Sequence, residues 1–169
     1  VSFYNETNGA AILPTPILGI VGKLEDLKQV RESSFQNVGD LVYLLGETRA
    51  ELGGSAYLEH LGLPLSGPCP TLDLNQEKAL QDKLLELIAL EYIESAHDIS
   101  EGGLLLTLAE CCFPRSLGLA MEASTSLRPD HYLLSESPSR IVVSVNKEKE
   151  EEFLKRVSDL EVQKLGEVT

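Results

Sequence analysis

The chain has 169 residues, enough for one well-cored domain, and 43% of them are apolar without a run long enough to span a bilayer. Its 27 acidic and 14 basic residues leave a formal charge of -13, and the bases do not cluster, which argues against a nucleic-acid or anionic-membrane surface. Three cysteines, two of them the adjacent Cys111 and Cys112, suit neither a disulfide framework nor a zinc site and point to a reducing, cytoplasmic setting.

Residues 1–8 lack the apolar core and positive charge of a targeting segment, and the only methionine is Met121, so the sequence reads as a piece of a longer chain. Residues 12–22 place Pro14 and Pro16 before an apolar run and predict a strand entered through an extended segment. Residues 40–46 predict a short buried strand. Gly53 and Gly54 precede Ser55, a natural N-cap, and so predict a glycine-rich helix start. Pro64, Pro68 and Pro70 make 62–71 a loop able to cross an edge of the fold. A long helix follows, capped by Asp73 or Asn75, with Leu80, Leu84, Leu87, Ile88 and Glu91 on its core side.

Residues 95–103 predict a polar turn leading into a helix over 104–112 that is apolar nearly all round. Strands are predicted at 118–122, 132–134 and 140–145, then an exposed helix over 147–160 that buries Phe153, Val157 and Leu160. The acid run 148–152 is the solvated face of that helix, and a last strand begins at Val162. Strands and helices mixed in this order imply an α/β (α+β) fold, a mixed β-sheet flanked by helices.

Chemistry concentrates in three polar turns. Before residue 104 stand Asp98, Ser100, Gly102 and Gly103. A helix start carries unpaired N–H groups and partial positive charge, and a glycine pair admits a phosphate or another backbone. The alternative is a capping box, in which Asp98 and Glu101 satisfy those donors themselves. The second turn, residues 51–55, holds Gly53, Gly54 and Ser55; the third, residues 135–140, holds Glu136, Ser137 and Arg140. Glu136 and Arg140 could each bind a ligand, or pair with one another and fix the turn. His60, His97 and His131 sit singly, without metal-ligand spacing. Cys111 and Cys112 lie within a buried-looking helix, and both the Gly-x-Ser-x-Gly and Walker patterns are missing.

Five segments in register carry a resemblance: Val1-Ser-Phe-Tyr-Asn-Glu-Thr7, Pro14-Thr-Pro-Ile-Leu-Gly-Ile-Val-Gly-Lys-Leu-Glu-Asp26, Leu45-Gly-Glu-Thr-Arg-Ala-Glu-Leu-Gly-Gly-Ser-Ala-Tyr57, Ser95-Ala-His-Asp-Ile-Ser-Glu-Gly-Gly-Leu104 and Leu134-Ser-Glu-Ser-Pro-Ser-Arg-Ile-Val-Val-Ser-Val145. In this order they resemble the synthetase subunit of the phosphoribosylformylglycinamidine synthase family. Within it they resemble the last domain, the second copy of the C-terminal domain shared with aminoimidazole ribonucleotide synthetase.

The resemblance implies that residues 1–14 are the tail of a preceding ATP-binding domain and linker, and that 15–169 form the C-terminal domain. It implies membership of an ATP- and magnesium-dependent ligase of purine biosynthesis, which converts formylglycinamide ribonucleotide to the amidine with ammonia from glutamine. ATP phosphorylates the amide oxygen there, and ammonia displaces phosphate. ATP and Mg2+ are expected on the upstream domains and not on this chain alone, which carries no catalytic residue or metal ligand. The partners implied are those upstream domains, a glutaminase subunit, a small bridging subunit and the small-molecule nucleotides.

Ser2 matches a substrate contact of the family. Glu136-Ser137-Pro138 matches a substrate-binding Glu-Ser-Gln of the other half, and the proline removes an amide, which assigns this copy to the half that does not catalyse. Gly53, Gly54, Ser55, Asp98, Ser100, Gly102, Gly103, Glu136 and Ser137 are the candidate ligand or interface turns. Two other expectations are kept: a scaffold domain only, or the same domain of an aminoimidazole ribonucleotide synthetase, a selenophosphate synthetase or a hydrogenase maturation protein. An apolar face without its neighbour could also make the chain a homodimer.

Overall fold

A computed structural model describes residues 6–12, 18–64, 66–122 and 124–169. A small hairpin, β1 (Glu6–Thr7) and β2 (Ala10–Ala11), comes first, and β3 (Leu41–Leu45) begins the main body. Then follow α1 (Ala56–His60), α2 (Leu74–Ala89), β4 (Ser95–Asp98), α3 (Gly103–Cys112), β5 (Leu119–Met121), α4 (Pro129–Leu134), β6 (Ile141–Val145), α5 (Glu150–Arg156) and β7 (Val162–Val168).

Five strands form one sheet in the order β4-β6-β3-β7-β5, antiparallel at every neighbouring pair. The parallel element is an isolated bridge between Glu32, outside the named strands, and Ser95, where the Ala96 N–H donates to the Glu32 carbonyl at 3.1 Å. Alternate residues of a strand face opposite sides, so β3 feeds two cores. Val42 and Leu44 join Val142, Leu165, Phe35, Leu104, Leu108, Cys111 and Tyr132 beneath α3 and α4. Leu41, Tyr43 and Leu45 join Val143, Val145, Leu80, Leu87, Ile93, Phe153 and Val157 beneath α2 and α5. A sheet covered on both faces needs apolar residues at every position, which is why β3 reads Leu-Val-Tyr-Leu-Leu without alternation. Ser144 interrupts β6, and its hydroxyl pairs at 2.6 Å with that of buried Ser95.

The long helix starts as expected. The Asp73 carboxylate accepts from the Asn75 and Gln76 amides at 2.8 and 3.2 Å, and Leu80 and Leu87 are buried. Glu91 lies beyond its end in a turn with φ of 56°, not on the core stripe. Residues 18–22 form no strand: Leu18, Ile20 and Val21 are almost wholly exposed, with no sheet partner for their backbone. The rest of that expectation, 13–17, lies outside the described residues.

Three further expectations are corrected. Residues 95–98 are strand β4, because pairing to β6 and the Glu32 bridge give this polar stretch partners on both sides. Residues 132–134 belong to helix α4, which Pro129 starts in its first turn and Tyr132 anchors in the core. Between 147 and 160 the α-helix covers only 150–156, after a single 3-10 turn. Glu150 in the acid run is engaged: its carboxylate accepts from the Tyr43 hydroxyl and, at 2.7 Å, from Lys164.

Candidate functional site

The three polar turns meet at Glu136. Its Oε1 accepts from the Ala56 N–H at the start of α1 and from the Gly102 N–H before α3, each at 2.9 Å. Neither helix has a side-chain cap of its own. Ser55 occupies the N-cap position of α1, yet its hydroxyl donates backward to the Leu52 carbonyl at 2.7 Å. Gly102, at φ of 80°, has no side chain to offer. The expected Asp98–Glu101 capping box is therefore not formed: the N-cap is Gly102, and its amide goes to a carboxylate brought in by the third turn. Asp98 and Ser100 are exposed. The Asp98 carboxylate lies 3.5 Å from His97, and Ser100 contributes only its carbonyl, which accepts from Gly103 at 3.1 Å.

Arg140 holds the third turn from within. It is fully buried, and its guanidinium donates to the Ser137 carbonyl at 2.8 Å, the Ser135 carbonyl at 2.6 Å and the Thr48 hydroxyl at 3.0 Å. Arg140 thus fixes the turn through carbonyls and not through an ion pair with Glu136. Burial pushes its pKa down to about 10, against the opposing pull of Glu51 and Tyr132. The hydroxyls of Ser135 and Ser137 accept from the Glu51 and Arg49 amides, both at 3.2 Å, so the turn is stitched to the strand-to-helix segment after β3. Glu51 in turn accepts from the Thr71 N–H at 2.9 Å, while its other oxygen is enclosed without a hydrogen bond. Burial raises the Glu51 pKa, but the Thr71 amide, Ser137 and Arg49 outweigh it and leave the group below its ordinary value.

One glycine of each pair, Gly53 and Gly103, serves close approach by the chain's own backbone, whereas Gly54 faces open space and Gly102 lies against the Leu106 side chain. A Cβ on Gly53 would lie 2.1 Å from the Pro68 carbonyl oxygen. A Cβ on Gly103, whose φ is 67°, would lie 2.7 Å from the Ser135 carbonyl oxygen and 2.8 Å from the Leu134 carbonyl carbon. The space that glycine opens for a phosphate is thus filled by residues 66–71 and by the end of α4.

The other candidates do not gather around this junction. Among the described residues, no group of three or more His, Cys, Asp and Glu side chains could hold a metal ion. His97 sits between Asp98 and Glu110, 3.3 Å from the latter. Cys111 is buried, and burial pushes its thiol up to about 12, far from a nucleophile's range. Ser2 lies outside the described residues. Sequence reasoning missed Arg49, and it placed Glu51 and Ser135 inside polar turns without singling either out. The proximity of Glu51 to the glycine pair was its only signal, and the other two act through a backbone amide and a hydroxyl that no spacing rule marks.

A two-faced antiparallel sheet with three turns locked around one carboxylate defines the class. The chain belongs to the AIR synthase related proteins as their C-terminal domain, the family that residues 37–169 match. Its relatives narrow the comparison. Over 170 residues it is 42% identical to phosphoribosylformylglycinamidine synthase subunit PurL of Alkaliphilus metalliredigens, covering 99% of this chain and 23% of that protein. It is 46% identical over 154 residues to the subunit of the same name from Moorella thermoacetica, covering 91% of this chain and 21% of that protein. The chain thus spans about a quarter of the length of these relatives.

Among solved structures, Thermotoga maritima PurL complexed with FGAR matches with a TM-score of 0.72 and 21% identity, over 84% of this chain and 26% of that one. The E. coli hydrogenase maturation protein HypE matches with a TM-score of 0.58 and 17% identity, over 82% of this chain and 46% of that one. At these identities the structural matches show the fold. Among the described residues, no helix is long and apolar enough to cross a membrane.

Proposed function

We propose that this chain is the C-terminal domain of a phosphoribosylformylglycinamidine synthase synthetase subunit. That enzyme is a carbon–nitrogen ligase that uses ATP, magnesium and glutamine-derived ammonia to convert formylglycinamide ribonucleotide to formylglycinamidine ribonucleotide in purine biosynthesis. The observation that carries the reading is the 42% identity to a PurL protein along 99% of the chain. The T. maritima structures described as complexes with FGAR and with ATP, and as PurLQS, fit the same substrate, nucleotide and multi-subunit setting. The partners proposed are the upstream domains, a glutaminase subunit and a small bridging subunit, all in the cytoplasm, with the domain boundary placed near residue 14.

Within that enzyme we assign this domain a supporting role. One amide at each of two helix starts is engaged by Glu136, and the clearances at Gly53 and Gly103 are taken by the chain's own backbone. No chemical step is assigned to this domain's side chains.

The test is ADP and phosphate release by the full-length parent with formylglycinamide ribonucleotide, magnesium-ATP and ammonium, run beside the 169-residue chain. Turnover by the parent alone is expected. No turnover by the parent overturns the ligase assignment and moves the search to the hydrogenase-maturation relatives, whereas turnover by the isolated chain overturns the supporting role. In the parent, Asp98→Ala is expected to leave both substrate KM and melting temperature within error, because its side chain is exposed and caps no helix.

A further inference from the structure

We infer that Glu136 is a latch, a single hydrogen-bond acceptor that seats α1 on the rest of the domain. Helix α1 has five residues, none of them buried, and no side-chain cap. A helix so short does not persist unless tertiary contacts hold it. Its first amide is held by Glu136, which the turn presents to it. That turn is riveted by buried Arg140 through the carbonyls of Ser135 and Ser137, next to strand β6, so the fixed half of the latch belongs to the sheet. The held half is α1 alone: residues 66–71 lie on Gly53 and are tied through Thr71 to Glu51 and Arg49, whose own amides donate to the Ser135 and Ser137 hydroxyls of the fixed turn.

The same oxygen also takes the Gly102 amide, so the start of α3 is tied to the same point. Two donors on one oxygen make the contact depend on an acceptor at that place, and a carboxamide supplies one as a carboxylate does. Release of Glu136 frees α1 and leaves the sheet and residues 66–71 in place, a local opening distinct from unfolding. This inference goes beyond the ligase reading and stands independently of it.

Amide hydrogen exchange of the 169-residue chain, followed residue by residue by NMR, tests the latch with two variants. Glu136→Leu keeps the bulk and removes the acceptor; Glu136→Gln keeps an acceptor and removes the charge. In Glu136→Leu the amides of Ala56 and Gly102, and those through α1, are expected to exchange at least about tenfold faster, with residues 41–45 unchanged. In Glu136→Gln most of the protection is expected to remain, along with the downfield positions of the Ala56 and Gly102 amide protons. The inference is overturned if Glu136→Leu leaves those two amides protected, if it speeds β3 equally, or if Glu136→Gln exchanges like Glu136→Leu.

Discussion

Strand β3 is buried and the Glu136 junction partly so, and they are made of opposite materials. The strand is five apolar side chains in a row, stabilised by area removed from water and tolerant of an exchange of one hydrocarbon for another. The junction is a set of serines, a glutamate, an arginine and four glycines, in which polar atoms depend on particular partners at fixed distances. The difference teaches where the domain can vary. Hydrophobic packing degrades gradually with lost volume, whereas a buried polar network fails group by group, because an unpaired donor or acceptor costs about 1–3 kcal/mol.

Substitutions that strike one side or the other sharpen this contrast. The largest effect belongs to the apolar side: Phe153→Ala empties a fully buried ring site against Tyr43 and should cost about 3–5 kcal/mol in urea unfolding, with the slope of the transition preserved. Arg140→Ala should cost about 3 kcal/mol by the same measurement, since it strips hydrogen bonds from two carbonyls and a hydroxyl; a loss under about 1 kcal/mol would show the turn to be self-supporting. Gly103→Ala adds a single methyl against fixed backbone at a left-handed φ and should cost about 2 kcal/mol, seen as a lowered melting temperature.

The smallest expected effect is a pH dependence. Glu51 titrates below its ordinary value of 4.5 in the folded chain, so its contribution is complete above that pH and fades as pH falls through the folded value. The melting temperatures of the wild type and Glu51→Gln should therefore differ by a degree or two, about the size expected for a partly solvated group, above pH 5 and converge in more acidic buffer. Curves that stay parallel down to acid would exclude Glu51 as the source.

The apolar side was legible from sequence and the polar side largely was not. Residues 40–46 and 140–145 announced strands because β-rich runs too short for a helix, bounded by turn residues, have few other readings. The Asp73 cap and the Leu80–Leu87 stripe defined α2 in the same way. β4 escaped because Ser-Ala-His-Asp has neither alternation nor bulk; its strand is imposed by neighbours distant in the chain. Tyr132 to Leu134 misled by composition, since three apolar residues suit a strand until Pro129 sets the backbone for a helix.

At the junction, the sequence marked all three turns but paired them wrongly. Local spacing favours Asp98 with Glu101 and Glu136 with Arg140. The folded chain instead sends Glu136 to Ala56 and Gly102 and Arg140 to carbonyls, because a carboxylate brought by tertiary packing reaches both helix starts at once.

The position of β3 in the sheet governs how the chain is made. Residues 41–45 leave the ribosome well before their hydrogen-bonding neighbours, which are 141–145 on one side and 162–168 on the other. At a synthesis rate of about 5–20 residues per second, this uncharged stretch waits several seconds or longer for the first of them. During that wait it is an unpaired strand of high β-propensity, the kind of segment through which nascent chains pair with one another. Yield in the cell is then set by how long β3 stays open, and slower translation of residues 46–140 should send more of the product into inclusion bodies without changing the stability of what folds.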